Sequence, residues 1–408
     1  MDFLNAKVDR KRNQLEIRGV IESVPNKMQH ISIPLVWLRD HCKCQKCYNH
    51  TTFQRQTDIA DLYDEKGNLR YTITDAAITN GSVTVIWNDN HLSQYSTAYL
   101  CAAHTHELRY PTHQQHFQHL WNSHQMRKVC ETGVLDVDYE AVMNENTKMD
   151  AMKKLFRAIL TYGICLVHGV PHDDNGRATF DLADAVSMRQ RTIYGIESVF
   201  SHEEMPKGNE DTAYTNMELR AHNDCTYYGR APAIQILHCL KAAPEGGETL
   251  LVDGFQAAKQ MYDVNPEAFH YLCELPVPHS FRGEGVHLLN DYIPVLRVKP
   301  HRVADYELTQ IRYNPYDRSS MVMQKASRGF QYQIADFEAF YKAYHELTMK
   351  IRDENNEHWI KLQPGSVLFI DNWRVLHGRA AYRGKRSMAS CYLTRDEFVS
   401  KARVLKLW

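Results

Sequence analysis

The chain has 408 residues, of which 43% are hydrophobic, and a formal net charge of −1 at pH 7. This length allows a large core and about two domains, while the near-neutral charge excludes binding to nucleic acid or anionic membranes through a general basic excess. No apolar run reaches the roughly 18 residues of a membrane span, and ten cysteines are too few for a disulfide scaffold. The composition predicts a soluble intracellular protein with reduced thiols.

The N-terminal segment has no apolar stretch of the signal-peptide type and contains Asp2, Asp9 and Glu16. Acidic residues fit a mitochondrial transit peptide poorly. We therefore expect a cytoplasmic protein, with the mitochondrial matrix as the alternative. We expect a small-molecule substrate, and a homodimer is the alternative to a monomer.

Alternating apolar and polar residues at 14–38 and 70–100 predict a small β-rich unit, with turns at Asn80–Gly81 and Asn88–Asp89. We assign residues 1–105 to this unit.

Residues 106–135 are polar and rich in histidine. A solvated linker with a short helix explains these histidines better than a metal site, since no second acidic or thiolate ligand lies near the cluster.

The pattern changes near residue 148. An amphipathic helix is predicted to end at Gly163, and a buried strand follows. Many short β-like runs come after residue 220, interrupted by helical patterns near 255–274 and 335–354. Short strands with covering helices predict a mainly β domain with a jelly-roll, or double-stranded β-helix, core. We assign residues 136–408 to it.

The sequence "RDHCKCQKCYNH" places Cys42, Cys44 and Cys47 within six residues. Thiolates at such spacing in a reducing compartment are typical structural zinc ligands, and a small β unit with little core gains much stability from a bound metal. The fourth ligand remains open among His41, His50 and His91.

The sequence "LRAHNDCTYY" contains His222 and Asp224, and a predicted buried strand far downstream leads to His377. Two histidines and one carboxylate form the facial triad of non-haem Fe(II) oxygenases, which leaves positions open for a 2-oxo acid and dioxygen. The remote carboxylate of such an acid requires a cation, and Arg386 is suitably close in sequence.

A His-x-acid triplet alone is weak evidence in a chain with 22 histidines. His172/Asp174 and His202/Glu204 also fit that pattern, and we interpret both as ordinary polar loops. A hydrolase or epimerase with zinc at the triad would leave Arg386 unexplained.

Five segments together resemble the carnitine-pathway 2-oxoglutarate dioxygenases, the γ-butyrobetaine and trimethyllysine hydroxylases. They are "WLRDHCKCQKCYN", "HND" at 222–224, "GGETLLVDGF", "FIDNWRVLHGR" and "CYLTRDEF". The resemblance spans nearly the whole chain. The chain differs from the family at the position between His222 and Asp224, where it has Asn223 and the family commonly has threonine.

The resemblance implies Fe(II) at His222, Asp224 and His377, 2-oxoglutarate at Arg386 with Thr249 as a second contact, and L-ascorbate as a further cofactor. It also implies zinc at Cys42, Cys44, Cys47 and His91.

The family holds the trimethylammonium group of its substrates in an aromatic cage through cation–π attraction. The matching positions here are Tyr194, Tyr214 and Tyr392. Ser198 occupies the position where the family usually has a tryptophan of the cage. We expect Phe200 to provide the aromatic ring in its place.

Trimethyllysine carries an α-ammonium group that γ-butyrobetaine lacks, and Asp211 is a candidate acid for it. The segment "IRYNPYDRS" also resembles the trimethyllysine enzymes and adds Asn314 to the expected substrate contacts. We therefore expect hydroxylation of trimethyllysine at C3. γ-Butyrobetaine hydroxylation is the first alternative, and an inactive quaternary-ammonium binding protein is the alternative of another class.

Overall fold

The computed structural model describes residues 2–20, 28–104, 118–173, 175–201, 214–283, 285–299, 307–321 and 334–408. The chain forms two compact units, residues 1–112 and 113–408. Among the described residues, no helix has the length and apolar character needed to cross a membrane.

The first unit consists of two antiparallel three-stranded sheets, β1-β2-β3 and β6-β7-β8, and a short β4-β5 pair. Its core is formed by apolar side chains of both sheets and of the first helix, among them Leu15, Leu38 and Trp87. Its elements are β1 Asp2–Asp9, β2 Gln14–Val20, β3 Met28–Pro34, α1 Leu35–Asp40, β4 Tyr48–Asn49, β5 Gln54–Arg55, a 3-10 helix Ile59–Leu62, β6 Ile73–Thr79, β7 Ser82–Trp87, β8 Leu92–Ser96 and α2 Thr97–His104.

Two segments of this unit differ from the predicted strands. Residues 35–38 and 97–100 have β-like composition but belong to α1 and α2. In α1, Leu35 and Leu38 are both buried, so packing onto the core overrides the local preference.

The second unit begins earlier than the predicted boundary at residue 136. Residues 106–117 of the predicted connection lie outside the described residues. Residues 118–135 belong to the second unit and include helix α3, Ser123–Glu131. They are anchored there because the backbone N–H of Trp121 donates to Asp253.

Two sheets form the centre of the second unit, a six-stranded sheet β11-β24-β13-β21-β10-β9 and a four-stranded sheet β12-β22-β15-β20. The strands are β9 Asp136–Asp138, β10 Ile164–His168, β11 Ser198–Phe200, β12 Leu219–His222, β13 Ile234–Lys241, β14 Glu245–Gly246, β15 Thr249–Asp253, β16 His279–Gly283, β17 Val286–Asn290, β18 Leu296–Val298, β19 Leu308–Ile311, β20 His358–Ile360, β21 Val367–Asp371, β22 Val375–Arg379, β23 Tyr382–Arg383 and β24 Ser387–Leu393.

Helices cover both sheets, which confirms the predicted jelly-roll with covering helices. One core cluster joins α5, α6 and α10 to the six-stranded sheet, and a second joins α7, α8 and α9 to the four-stranded sheet. The helices are α4 Tyr139–Met143, α5 Lys148–Tyr162, α6 Arg177–Val186, α7 Gly254–Val264, α8 Pro266–Glu274, α9 Ile334–Ile351 and α10 Arg395–Val404.

The helix that the sequence predicts before Gly163 is confirmed as α5, and Gly163 ends it with a φ of 79°. The pattern predicted at 255–274 contains two helices, α7 and α8. They are separated at Asn265, whose side chain caps α8, and Pro266 starts α8 because it needs no backbone donor there.

A buried ion pair joins the two halves of the second unit's core. The guanidinium of Arg374 donates to Asp253 at 2.8 Å, and both residues are about 1% exposed. Arg374 also donates to the carbonyls of Thr161 and His119. This one side chain thus connects the ends of β15, β21 and α5.

Candidate active site

Three residues that are far apart in sequence meet at the edge of the four-stranded sheet. His222 ends β12 and lies opposite His377 of the antiparallel strand β22. Asp224 follows β12 by two residues. Its Oδ1 lies 3.2 Å from Nε2 of His222 and 3.5 Å from Nε2 of His377.

Burial and mutual charge control the protonation of these groups. Burial opposes ionisation of Asp224, yet the attraction of His377 and the hydrogen bonds from both imidazoles hold its pKa well below the usual range. Burial lowers the pKa of His377. For His222, burial is outweighed by the hydrogen bond and the charge of Asp224, so its pKa is raised.

The three residues fit a divalent metal. Their ligand atoms lie within 4.8 Å of one another. Nδ1 of His222 is 2.8 Å from the carbonyl of Arg220, which favours a proton on Nδ1 and a free lone pair on Nε2. Two imidazoles and one carboxylate are the donor set of the Fe(II) facial triad.

The backbone around Asp224 is held by a reciprocal pair of asparagines. The side chain of Asn372 accepts from the N–H of Asp224 and donates to its carbonyl. The side chain of Asn223 in turn donates to the carbonyl of Asn372. Asn223 is 2% exposed, and its side chain is bonded to the backbone of Asn372 and Tyr313 and to no residue of the triad.

A cavity lies between the two sheets and opens next to the triad. Both residues expected for 2-oxoglutarate line it: Thr249 begins β15, and Arg386 immediately precedes β24. The cavity is lined by side chains of both sheets, including Leu237 and Met388 of the six-stranded sheet and Leu219 of the four-stranded sheet. This position gives a ligand access to the triad and to the arginine at once.

Arg379 is a cavity residue that the sequence analysis did not assign. It is buried, and it donates to the carbonyls of Thr215 and Met217. Burial, together with the charge of Arg386, lowers the pKa of Arg379 to about 10. Two guanidiniums in one cavity, one of which lowers the pKa of the other, form a favourable site for an anion. The alternation of β22 could have identified this residue, since Arg379 follows His377 by two positions and must share its face.

The expected cage residues come together at one wall of the cavity. Tyr194, Tyr214 and Tyr392 all line it, as do Phe200 and Ser198. The ring of Tyr194 lies 6.4 Å from that of Tyr214 and 6.5 Å from that of Tyr392. The ring of Phe200 lies edge-on to Tyr214 at 6.0 Å.

The other two expected substrate contacts are Asp211 and Asn314. Asp211 lies outside the described residues, as do His202 and Glu204. Asn314 is 4% exposed and does not line the cavity. Its amide bonds to the backbone of Asn223 and to Asp317, so it fixes the turn behind the triad.

The first unit brings a second group of ligands together. Nε2 of His91 lies 3.4 to 3.6 Å from the sulfurs of Cys42, Cys44 and Cys47. Backbone N–H groups lower the pKa of the Cys44 thiol despite its burial, whereas burial and the neighbouring thiols raise the pKa of Cys47 to about 12. Of the other candidates, His41 bonds to the carbonyl of Trp37 and His50 to that of Lys43.

The chain is similar to known dioxygenases along both units. Residues 123–392 match the family described as taurine catabolism dioxygenase TauD, TfdA family. Residues 7–101 match the gamma-butyrobetaine hydroxylase-like N-terminal family.

The trimethyllysine dioxygenase of Homo sapiens, named as mitochondrial, is 37% identical over 91% of this chain and 82% of its own length. That of Meyerozyma guilliermondii is 30% identical over 91% of this chain and 90% of its own length. The gamma-butyrobetaine dioxygenase of Pseudomonas sp. is 28% identical over the same shares. The chain therefore belongs to the TauD, TfdA family of dioxygenases, in the group that contains the trimethyllysine and γ-butyrobetaine dioxygenases.

Proposed function

We propose that the chain hydroxylates N6,N6,N6-trimethyllysine at C3, the first step of carnitine biosynthesis, with Fe(II) and 2-oxoglutarate. The observation that carries this proposal is its 30–37% identity with trimethyllysine dioxygenases along 91% of the chain. The γ-butyrobetaine dioxygenase reaches 28% over the same share.

His222, Asp224 and His377 would hold the iron. When bound there, iron supplies the oxygen chemistry in which 2-oxoglutarate becomes succinate and carbon dioxide as a substrate C–H bond is hydroxylated. The protein's part is geometric. The sheets hold the ligand side chains rigidly, and the buried cavity keeps bulk water away from the reacting carbon.

Arg386 binds the remote carboxylate of 2-oxoglutarate, with Thr249 as a hydroxyl donor. Arg379 adds a second positive charge to the same cavity, and by donating to Thr215 and Met217 it also holds the segment that follows Tyr214. The anion therefore enters a site whose charge is already arranged for it.

Tyr194, Tyr214 and Tyr392 hold the trimethylammonium group. Phe200 provides the aromatic ring that a tryptophan provides in other members of the family. Ring faces attract a desolvated quaternary ammonium by cation–π interaction. Asp211 remains our candidate acid for the α-ammonium group.

The first unit carries a structural zinc at Cys42, Cys44, Cys47 and His91. Four protein ligands close the coordination shell, so we assign the metal to stability and not to catalysis. Metal analysis that finds no zinc would contradict this assignment.

Three further features belong to this proposal: L-ascorbate as a reductant that keeps the iron ferrous, a homodimer as one oligomeric state, and the mitochondrial matrix as an alternative to the cytoplasm. The human relative is named as mitochondrial.

The test is a side-by-side assay of succinate release with trimethyllysine and with γ-butyrobetaine, in the presence of Fe(II), 2-oxoglutarate and ascorbate. We expect faster turnover of trimethyllysine, with the hydroxyl group at C3, and no turnover in the Asp224→Ala variant. Preference for γ-butyrobetaine would assign the chain to the alternative reaction. Bound iron without turnover of either substrate would favour a quaternary-ammonium binding protein.

A further inference from the structure

The two carboxylate oxygens of Asp224 have different surroundings. Oδ1 faces the two imidazoles. Oδ2 faces the opposite direction and accepts from the hydroxyl of Tyr392 at 2.6 Å and from the amide Nε2 of Gln235. One oxygen is thus directed toward the metal position, and the other is bonded to the protein.

The two donors come from neighbouring strands in fixed register. Gln235 lies directly opposite Tyr392 in the β13–β24 pair, at the centre of the six-stranded sheet. Both residues are buried, at 4% and 6% exposure. Their side chains therefore reach Asp224 from a rigid surface, and neither can turn toward solvent.

The carboxylate of Asp224 determines which end of the Gln235 amide faces it, because the carboxylate accepts hydrogen bonds and Nε2 donates one. Oε1 of Gln235 is buried and has no hydrogen-bond partner among the described residues. Reversing the amide would place a carbonyl oxygen against the carboxylate of Asp224, which is unfavourable because both groups only accept. A buried polar group with one unmet bond costs stability, and an apolar residue could fill the same space. Gln235 is therefore hard to explain by folding alone.

We propose that Gln235 and Tyr392 are positioning residues that keep Asp224 bound to the metal through a single oxygen. A carboxylate that binds through both oxygens takes one more position around the metal, and a facial triad needs its open positions for other ligands. With Oδ2 held by two donors, the carboxylate cannot turn to present both oxygens. This inference rests on the proposed iron site.

Tyr392 then has two roles that can be separated. Its ring forms part of the aromatic wall, and its hydroxyl holds Asp224. Tyr392→Phe keeps the ring and removes only the hydroxyl. Gln235→Leu removes the amide and keeps a similar side-chain volume.

The experiment measures metal affinity without substrate, by anaerobic titration with Fe(II) and with Co(II). We expect each variant to bind both ions about 10- to 100-fold more weakly, the range for loss of a hydrogen bond to a metal ligand. The visible absorption of the Co(II) form should also change, because it responds to the number of ligand atoms. The double variant Gln235→Leu/Tyr392→Phe should show the largest change in both.

Two matched controls test whether any buried substitution has this effect. Tyr228→Phe changes a tyrosine of the same aromatic cluster that does not line the cavity. Gln310→Leu changes a glutamine that is equally buried, in β19. Both should leave the metal affinity and the Co(II) spectrum unchanged.

The proposal is overturned if Tyr392→Phe and Gln235→Leu bind metal as the unchanged protein does. It is also overturned if both controls weaken metal binding equally. If the unchanged protein binds Fe(II) but does not oxidise trimethyllysine, the proposed function fails, while the metal titrations still decide the role of the two residues.

Discussion

We expect two buried arginines to determine which anion the cavity accepts. Burial lowers the pKa of Arg386, which reflects the cost of keeping this cation away from water. Burial and the charge of Arg386 together lower the pKa of the nearby Arg379. A bound carboxylate would offset the cost of burying these cations, so we expect the two arginines to favour a dianionic cosubstrate over a neutral one.

Replacing Arg386 should weaken cosubstrate binding selectively. We expect Arg386→Met to raise the KM for 2-oxoglutarate by about 10- to 150-fold, since a charge-assisted hydrogen bond is worth roughly 1.5–3 kcal/mol. Fe(II) affinity measured without 2-oxoglutarate should change little. Arg383→Met is the control, because Arg383 lies three residues earlier and is exposed. Equal effects of the two changes would contradict the assignment.

At the scale of elements, a two-stranded pair positions Arg386. Strand β14 pairs with β23 through Gly246 and Tyr382, and Arg386 follows three residues after β23. Gly246 has a φ of 69°, and a Cβ atom there would lie 2.1 Å from the carbonyl oxygen of Ala381. The close approach of these backbones requires glycine at this position.

We expect Gly246→Ala to destabilise the second unit by about 3 kcal/mol or more, because backbone strain and a backbone clash add. Gly285→Ala is the matched control. Gly285 has a similar φ of 72°, but no atom lies within 4 Å of its Cβ position. That change should cost only about 1–2 kcal/mol. Thermal unfolding of both variants decides, and equal destabilisation would show that the clash has no effect.

The sequence predicts the elements best where the local pattern and the tertiary environment agree. Helix α5 has an apolar face and a terminal glycine, and it forms as expected. Helix α1 has strand-like residues, but the core requires Leu35 and Leu38 on one face. Only the folded core decides between these alternatives.

The same limit applies to the candidate site. The grouping of His222, Asp224 and His377 can be predicted from their residue types and strand context. The contact of Gln235 with Asp224 cannot, because it depends on the register of β13 against β24. A polar residue in the apolar run "AIQILHCL" was the only signal of Gln235 in the sequence.

At the scale of the whole molecule, buried histidines make stability depend on pH. Burial lowers the pKa of His279 to about 3 and that of His358 to about 4. In the unfolded chain a histidine takes up its proton near pH 6.5. Between these values the unfolded state binds more protons than the folded state. Stability is therefore fully present above pH 6.5 and falls as the pH decreases toward 4.

Below pH 6.5, each of these histidines should lower the free energy of unfolding by about 1.4 kcal/mol per pH unit, which amounts to about 2 kcal/mol at pH 5. We expect His358→Asn to be less stable than the unchanged protein at pH 7.5, because the edge contact with Trp121 is lost. The stability that this variant loses between pH 7.5 and pH 5 should be smaller, by about 2 kcal/mol, than the stability that the unchanged protein loses. Denaturant unfolding at both pH values measures this, with the exposed His345→Asn as control. The prediction is contradicted if His358→Asn loses as much stability between pH 7.5 and pH 5 as the unchanged protein does.

The buried pair of Arg374 and Asp253 has a consequence for divergence. Removing one partner leaves an uncompensated charge in the core, at a cost of roughly 3–5 kcal/mol, whereas replacing both with apolar residues of similar size can be nearly neutral. Most proteins have only about 5–15 kcal/mol of stability, so an intermediate with one partner would rarely persist. Across descendants of this chain we expect the two positions to be retained together or exchanged together, as a single inherited character.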